Sequence, residues 1–279
     1  MIYDVIIIGA GPAGMTAGIY TKRSGFSVLI FENGTPGGQA ATTHAIENYP
    51  GFTEPISGPE LMSNFFEQMM KFGVEMKGKR VERIDVSGKI KKVYVEGEEF
   101  QAHVLILASG ANPRLLGAKG EGKYRGRGVS YCATCDGFFF KEKEVVVVGG
   151  GDSALQEALF LSKICKKVTL VHRRDTFRGA KVIQDRINMK DNIVTEMDQV
   201  VEEISGDDSK VKEVVLKNVK TGETKSIEAS GVFIFVGYIP NTKYLAEDTG
   251  LEVNSQGYFI TDDKLMTNIP GVFAVGDVR

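Results

Sequence analysis

Cys132-Ala133-Thr134-Cys135 places two thiols three positions apart, and Asp136 follows the second directly. Two residues between cysteines suit a small disulfide loop or one half of a tetrahedral zinc site. A carboxyl group beside a departing thiolate could return a proton to it if burial raises its pKa, which makes Asp136 a candidate acid. Gly137 after it fits a plain turn or helix cap equally well. Zinc needs four ligands, and the spare candidates are Cys165, His44, His103, His172 and carboxylates. None of them forms a second closely spaced pair. Cys165 falls in an apolar helical pattern and reads as a buried, inert thiol.

A second kind of chemistry is written in glycine. Val5-Ile6-Ile7-Ile8 runs into Gly9-Ala10-Gly11-Pro12-Ala13-Gly14, and 140 residues later Val145-Val146-Val147-Val148 runs into Gly149-Gly150-Gly151-Asp152-Ser153-Ala154. Each copy reads as strand, glycine turn and helix. The first glycine of such a turn permits the tight bend, the second lets a pyrophosphate approach the backbone, and the third, Gly14 or Ala154 here, lets helix and strand pack closely. The helix N-terminus then stabilises the phosphate charge. Glu32 follows Gly9 by 23 residues, at the end of a second strand, where it can accept hydrogen bonds from a ribose.

In the second copy the place of that acid is held by His172, followed by Arg173, Arg174 and, four further on, Arg178. A carboxylate there would repel a ribose 2′-phosphate, whereas arginines bind it in bidentate, charge-assisted geometry. Lys163 to Lys190 carries nine Lys or Arg against two Asp in a chain of net charge -2. The bland alternative is a solvated basic helix face. The register against the glycine turn favours NADPH, and so a different dinucleotide in each half.

These groups need a scaffold. Helices are expected at about Ala13–Ser24, Pro59–Phe72 and Ser153–Ile164. Strands are expected at Ser27–Phe31, Val81–Asp85, Lys89–Val95, Glu99–Gln101, Val104–Ala108, Lys167–Val171, Lys212–Lys217 and Gly231–Val236. Gly257–Asp277 also has strand character. Continuous apolar strands alternating with helices indicate parallel sheets covered on both faces, an α/β protein with two βαβ units. Gly117–Gly128, rich in Gly, Lys and Arg, and Gly237–Asn241 read as linkers. The length of 279 residues suits two domains and a core large enough to fold without disulfide staples. Hydrophobic residues at 42% and charged residues at 25% exclude disorder, collagen and coiled coil. No apolar run could span a bilayer, no secretory leader is expected, and the near-neutral charge gives no drive toward nucleic acid or membrane.

Two dinucleotide turns and one dithiol together resemble the prokaryotic-type, low-molecular-weight thioredoxin reductases of the pyridine nucleotide-disulfide oxidoreductases. The matching segments are GAGPAG from Gly9, GGQ from Gly37, ENYPG from Glu47, CATCDG from Cys132, GGGDSA from Gly149, HRRDTFR from His172, PNT from Pro240 and GVFAVGD from Gly271. They occur in the family's order and cover essentially the whole chain. The resemblance implies two Rossmann-like, three-layer ββα nucleotide-binding domains, the second inserted into the first. An FAD domain would comprise residues 1–112 and 241–279, and an NADPH domain carrying the redox pair residues 113–240. It implies FAD contacts at Gly9, Gly11, Pro12, Ala13, Gly14, Glu32, Gly38, Gln39, Asn48, Gly110, Gly276 and Asp277, with Asp277 accepting from the ribitol. NADPH contacts would be Gly149, Gly151, Asp152, Ser153, Ala154, His172, Arg173, Arg174 and Arg178.

By the same resemblance Cys135 is the thiol next to the flavin, Cys132 attacks thioredoxin, and Asp136 is the acid/base residue. One domain is expected to rotate against the other about 112–114 and 237–241. A cytoplasmic homodimer is implied. Ser109 stands where many relatives carry Thr. The family continues past its Gly-Asp motif into a helix whose N-terminus faces the flavin. This sequence stops at Arg279, the residue trypsin-like cleavage would leave, so a truncated or nicked form, or a remainder carried on another chain, is expected. Two alternatives share the frame: a flavin reductase for another protein or small dithiol acceptor, and an inactive flavin-binding fragment.

Overall fold

A computed structural model of the chain describes residues 1–43 and 46–279, so His44, one of the spare zinc candidates, lies outside the described residues. The apolar run after Met1 forms β1 (Ile2–Ile8). Its side chains alternate between two buried layers, Val5 and Ile7 on one face and Ile6 and Ile8 on the other. A strand apolar on both faces has to be covered on both, which places it inside a parallel sheet. Helix α1 (Pro12–Arg23) starts on Gly11 with Pro12 in its first turn, where the missing N–H costs nothing. After β2 (Val28–Phe31) comes α2 (Gly58–Lys71), whose N-cap Ser57 accepts from Glu60 N at 3.3 Å.

β3 (Glu75–Lys77), β4 (Arg83–Asp85), β5 (Lys91–Val95) and β6 (Glu98–Leu107) complete this part of the sheet in the order β3-β2-β1-β6-β5-β4. The first four in that order run parallel, and β5 and β4 turn back antiparallel. Met15, Ile19, Leu61 and Met69 of α1 and α2 cover the Val5 and Ile7 face. The two strands expected at Glu99–Gln101 and Val104–Ala108 are one continuous strand, β6. Its first half pairs with β5, which sustains the polar stretch between them. β7 (Ala111–Pro113) follows.

The chain divides into two compact units, Met1–Asn112 with Tyr238–Arg279, and Pro113–Gly237. In the second, α3 (Glu121–Tyr124), β8 (Val129–Ser130) and α4 (Ala133–Asp136) precede β9 (Glu144–Gly149), α5 (Asp152–Ser162), β10 (Lys167–Val171), α6 (Lys181–Asn188) and β11 (Ile193–Glu196). β12 (Gln199–Gly206), β13 (Val211–Asn218), β14 (Thr224–Glu228) and β15 (Gly231–Phe235) close it. A parallel sheet runs β11-β10-β9-β15-β8, beside an antiparallel sheet β12-β13-β14. Val145 and Val147 face Leu155, Leu161, Ile183 and Ile187 on α5 and α6. Val146 and Val148 face Val201, Val214 and Leu216 of the antiparallel sheet. That unit is therefore a layer of helices, a parallel sheet and an antiparallel sheet.

β16 (Tyr238–Pro240), which pairs with β7, α7 (Lys243–Ala246) and β17 (Val272–Ala274) return to the first unit. There β17 lies parallel to the second half of β6. The rest of 257–277 is mostly loop. The stretch Gly117–Gly128, expected as a linker, is instead folded into the second unit. It contains α3, and both Glu121 and Tyr124 are buried.

Candidate active site

In the first unit a cavity of about 570 Å³ opens at the C-terminal ends of β1 and β2. Its lining includes Gly9, Gly11, Pro12, Ala13, Glu32, Gly38, Gln39, Gly110, Gly276 and Asp277. Such a crevice beyond the strand ends is where α/β sheets bind ligands, and its size lies in the range of small-molecule sites. Gly9 has φ +107°, and a Cβ on it would strike the Ala108 carbonyl. A Cβ on Gly14 would strike the Gly9 carbonyl, so Gly14 packs helix on strand and lies beneath the cavity rather than on its wall. Gly11 is the opposite case, with nothing within 4 Å of a Cβ there. The backbone is bare where a ligand would press on it. No side chain caps the N-terminus of α1, unlike α2, which leaves first-turn N–H groups free for an anion. This cradle fits a dinucleotide.

Glu32 lines the cavity at the end of β2. Its Oε2 accepts from Ala10 N at 2.6 Å and its Oε1 from Gly34 N at 3.1 Å, so the carboxylate is oriented by backbone. Asn48 is exposed, in the segment between the paired Ile46 and Ile56, and is not among the cavity's lining residues. The cavity is also lined by Arg80, Asn112, Asn241 and Tyr244, none of them expected as a cofactor contact. Asn241 Nδ2 donates to Ser109 O at 2.9 Å, Ser109 Oγ to Asn241 O at 2.9 Å, and Asn112 Nδ2 to Asn241 Oδ1 at 2.8 Å. Burial pushes the Tyr244 hydroxyl up to about 12; Glu32 adds to the rise, and Arg80 opposes it. The PNT segment and the basic Lys79-Arg80 pair were the signals available for these residues.

The second glycine turn repeats the arrangement. Gly149 has φ +150°, a Cβ on it would strike the Phe235 carbonyl, and Gly151 has nothing within 4 Å. The N-terminus of α5 again lacks a side-chain cap. Asp152 Oδ1 accepts from Ala180 N at 2.7 Å, which ties the turn to the loop after β10. Arg178 N and Gly179 N both donate to Gly150 O, at 2.7 and 3.1 Å. Ser153 is exposed and Ala154 is buried beneath the turn.

His172 is 6% exposed, its ring under Gly150 and 5.5 Å from the Phe177 ring. Burial lowers its pKa, and Arg178, Arg174 and Arg173 lower it further. The three arginines are themselves exposed. His172 thus supports the turn from below, while the guanidinium groups reach solvent around it.

Cys132 and Cys135 are joined by a disulfide. Cys132 is the N-cap of α4, and its Sγ accepts from Cys135 N at 3.1 Å. The helix N–H that this sulfur caps therefore also polarises it. Ser130 Oγ accepts from Cys132 N at 3.0 Å and donates to Cys132 O at 3.1 Å, pinning the strand entering the pair. Cys135 is exposed and Cys132 half-buried. Asp136, half-buried, lines a separate hollow of about 310 Å³ with Ser130, Arg127 and Lys143. Phe139, which also lines this hollow, and its neighbour Phe138 are 73% and 68% exposed. Cys165 is buried, and burial raises its thiol to about 11. Among the described residues no three His, Cys, Asp or Glu side chains gather as a metal site. No helix among them is long and apolar enough to cross a membrane.

Residues 3–279 match the pyridine nucleotide-disulphide oxidoreductase family, and the chain belongs to it. It is 47% identical to a thioredoxin reductase of Bacillus subtilis, over 100% of this chain and 87% of that protein. It is 44% identical to one from Peptoclostridium acidaminophilum, over 100% of this chain and 89% of that protein. Among solved structures it is similar to thioredoxin reductase of Lactococcus lactis (TM-score 0.96, 49% identity, covering 99% of this chain and 90% of that one). The enzyme from T. acidophilum gives a TM-score of 0.94 at 39% identity, with the same coverage.

Proposed function

We propose that this protein is a thioredoxin reductase in which the first unit holds FAD, the second holds NADPH, and Cys132–Cys135 is the disulfide cycled in each turnover. One observation carries the reading: a chain of this family has two uncapped glycine-turn helices and, on its second unit, a disulfide with an exposed sulfur. When bound, the flavin supplies two-electron chemistry between a nicotinamide and a disulfide.

The chain's own groups do the rest. Gly11 and the first turn of α1 receive a pyrophosphate, Glu32 accepts from a ribose hydroxyl, and Gln39 and Asp277 hold the flavin's chain. Gly151 and the first turn of α5 receive the second pyrophosphate. Arg173, Arg174 and Arg178 clamp the 2′-phosphate that distinguishes NADPH from NADH. Two electrons and one proton open the disulfide to a thiol and a thiolate. Asp136 gives the departing Cys132 sulfur its proton and later takes it back. Cys132, as thiolate, attacks a thioredoxin disulfide and forms a mixed disulfide; Cys135, as thiolate, attacks the Cys132 sulfur, restoring the pair and releasing thioredoxin, whose two sulfurs take protons from solvent to become thiols. The exposed Phe138 and Phe139 offer a protein acceptor an apolar surface beside the pair. The same reading places the protein in the cytoplasm as a homodimer.

Thiol counting tests it. The FAD-loaded chain with NADPH and oxidised thioredoxin is expected to produce two thioredoxin thiols for each NADPH consumed. NADPH consumption without thioredoxin thiols would overturn it.

A further inference from the structure

Glu157 is a half-buried residue whose carboxylate oxygen Oε2 is buried, and the mechanism above does not use it. It lies on α5, which packs against α4, the helix of the cysteines. The contact is fixed by Gly137: a Cβ there would stand 3.1 Å from Leu161 Cδ2, 3.2 Å from Phe160 Cε1 and 3.5 Å from Ile164 Cδ1. Phe138 meets Phe160 edge-on at 6.3 Å. Residues 157, 160, 161 and 164 follow one helical stripe, so Glu157 stands one turn N-terminal of Phe160 and Leu161 on the side facing the cysteine helix. Two polar atoms in this region are buried without a hydrogen-bond partner, Glu157 Oε2 and the hydroxyl of Thr134, the residue before Cys135. A buried polar group left unpaired is costly and calls for a reason.

We propose that Glu157 governs how readily the reduced Cys132–Cys135 pair forms a thiolate, permitting it while its carboxyl carries a proton and opposing it once ionised. This rests on the reading of that pair as the redox centre. The physical ground is like-charge repulsion: a carboxylate and a thiolate on two packed helices disfavour each other, whereas a neutral carboxyl carries no such penalty. Burial alone pushes the Glu157 carboxyl up to about 7, inside the range where thiols ionise. The other charged groups on the elements packed against α5 are Asp136 on α4, Lys181, Asp185 and Arg186 on α6, Glu144 on β9 and Lys167 on β10. None of them contributes to that rise. Glu157 is a positioning residue in this account: it touches neither substrate nor cofactor and acts through the sulfurs.

The test uses the full chain reduced with dithiothreitol and desalted, which needs neither flavin nor NADPH. Iodoacetamide alkylation of Cys132 and Cys135 is followed by peptide mass spectrometry between pH 5.5 and 9, for the wild type and Glu157→Gln. The expected rates are equal at pH 5.5, and the variant is roughly threefold faster near pH 7.5, where the wild-type carboxyl has ionised. Superimposable profiles, or a ratio that is the same at every pH, would overturn the proposal. A second measurement is independent of the variant's folding: infrared titration of the wild type is expected to show a carboxyl C=O band lost near pH 7, and its absence would also overturn the proposal. Failure of NADPH to reduce the pair would sink the thioredoxin reductase reading and leave these profiles interpretable.

Discussion

The hydroxyl of Tyr131 donates to Glu121 Oε1 at 2.6 Å, and Tyr131 is the residue before Cys132. Glu121 is only 5% exposed, and its other contacts are the backbone N–H groups of Leu116 and Gly117, at 2.9 and 2.7 Å. One carboxylate therefore ties the segment entering the second unit to the strand that delivers the redox pair. Burial and then the Glu121 carboxylate hold the Tyr131 phenol far above its ordinary range.

Removing that carboxylate strands two backbone donors and a phenol. Glu121→Ala is expected to cost about 2–4 kcal/mol of stability, and Tyr131→Phe only about 1 kcal/mol, because it deletes one neutral donor and leaves the carboxylate its backbone partners. Urea unfolding followed by circular dichroism measures both. Equal losses would mean that the carboxylate is not the centre of the network.

The glycine turn separates folding from binding. Gly9→Ala places a side chain at φ +107° against a carbonyl and is expected to lower stability by about 1–3 kcal/mol. Gly11→Ala meets nothing in the protein, so it should fold as the wild type does while weakening FAD binding roughly tenfold or more. Thermal unfolding of the FAD-free chain and flavin fluorescence titration distinguish the two; undiminished FAD affinity in Gly11→Ala would contradict the cradle.

Charge around His172 should set dinucleotide choice. Arg173→Ala and Arg174→Ala each remove a charge-assisted contact of about 1.5–3 kcal/mol, which is roughly ten- to hundredfold in KM for NADPH, with KM for NADH nearly unchanged. Steady-state kinetics with both donors checks this. Parallel losses for NADPH and NADH would assign the arginines to fold or solubility instead.

His172 and Glu157 give the second unit opposing pH dependences. The folded chain protonates His172 only below 6.5, so the unfolded chain binds the extra proton there; this stability is complete above pH 6.5 and is lost as pH falls. Glu157 ionises at about 7 when folded and at 4.5 when unfolded. Its contribution is complete below pH 4.5 and is lost as pH rises to about 7. Glu157→Gln is therefore expected to be more stable than the wild type at pH 8, by roughly 1–3 kcal/mol, and not at pH 4. Urea midpoints across pH test the sign, and a constant difference would contradict it.

What could be read in advance divides by the range of the interaction that sets it. Gly9, Gly11, Gly149 and Gly151 answer a local backbone demand, so residue type and spacing reveal them. Valine and isoleucine runs show their two-sided burial in the same way. Tyr244 and Asn241 are far in sequence from the turn they join, and only the returning segment after residue 237 brings them to the cavity. Arg80 reaches it from the end of β3, whose short, polar sequence carries no pattern. The stretch 117–128 has a linker's composition, yet Glu121 is buried because backbone donors and Tyr131 satisfy it, which no composition can reveal. β6 reads as two strands in sequence because its start, Glu98 and Glu99, is polar and exposed, held in the strand by the partner β5.

The most direct test of the central claim is stopped-flow absorbance of the FAD-loaded chain, wild type and Cys132→Ser, mixed first with NADPH and then with oxidised thioredoxin. The account predicts that the flavin band bleaches in both, that wild-type protein then reduces thioredoxin and recovers its oxidised spectrum, and that the variant does not reduce it. Continued thioredoxin reduction by Cys132→Ser, or a wild-type flavin band that NADPH leaves unchanged, would contradict it.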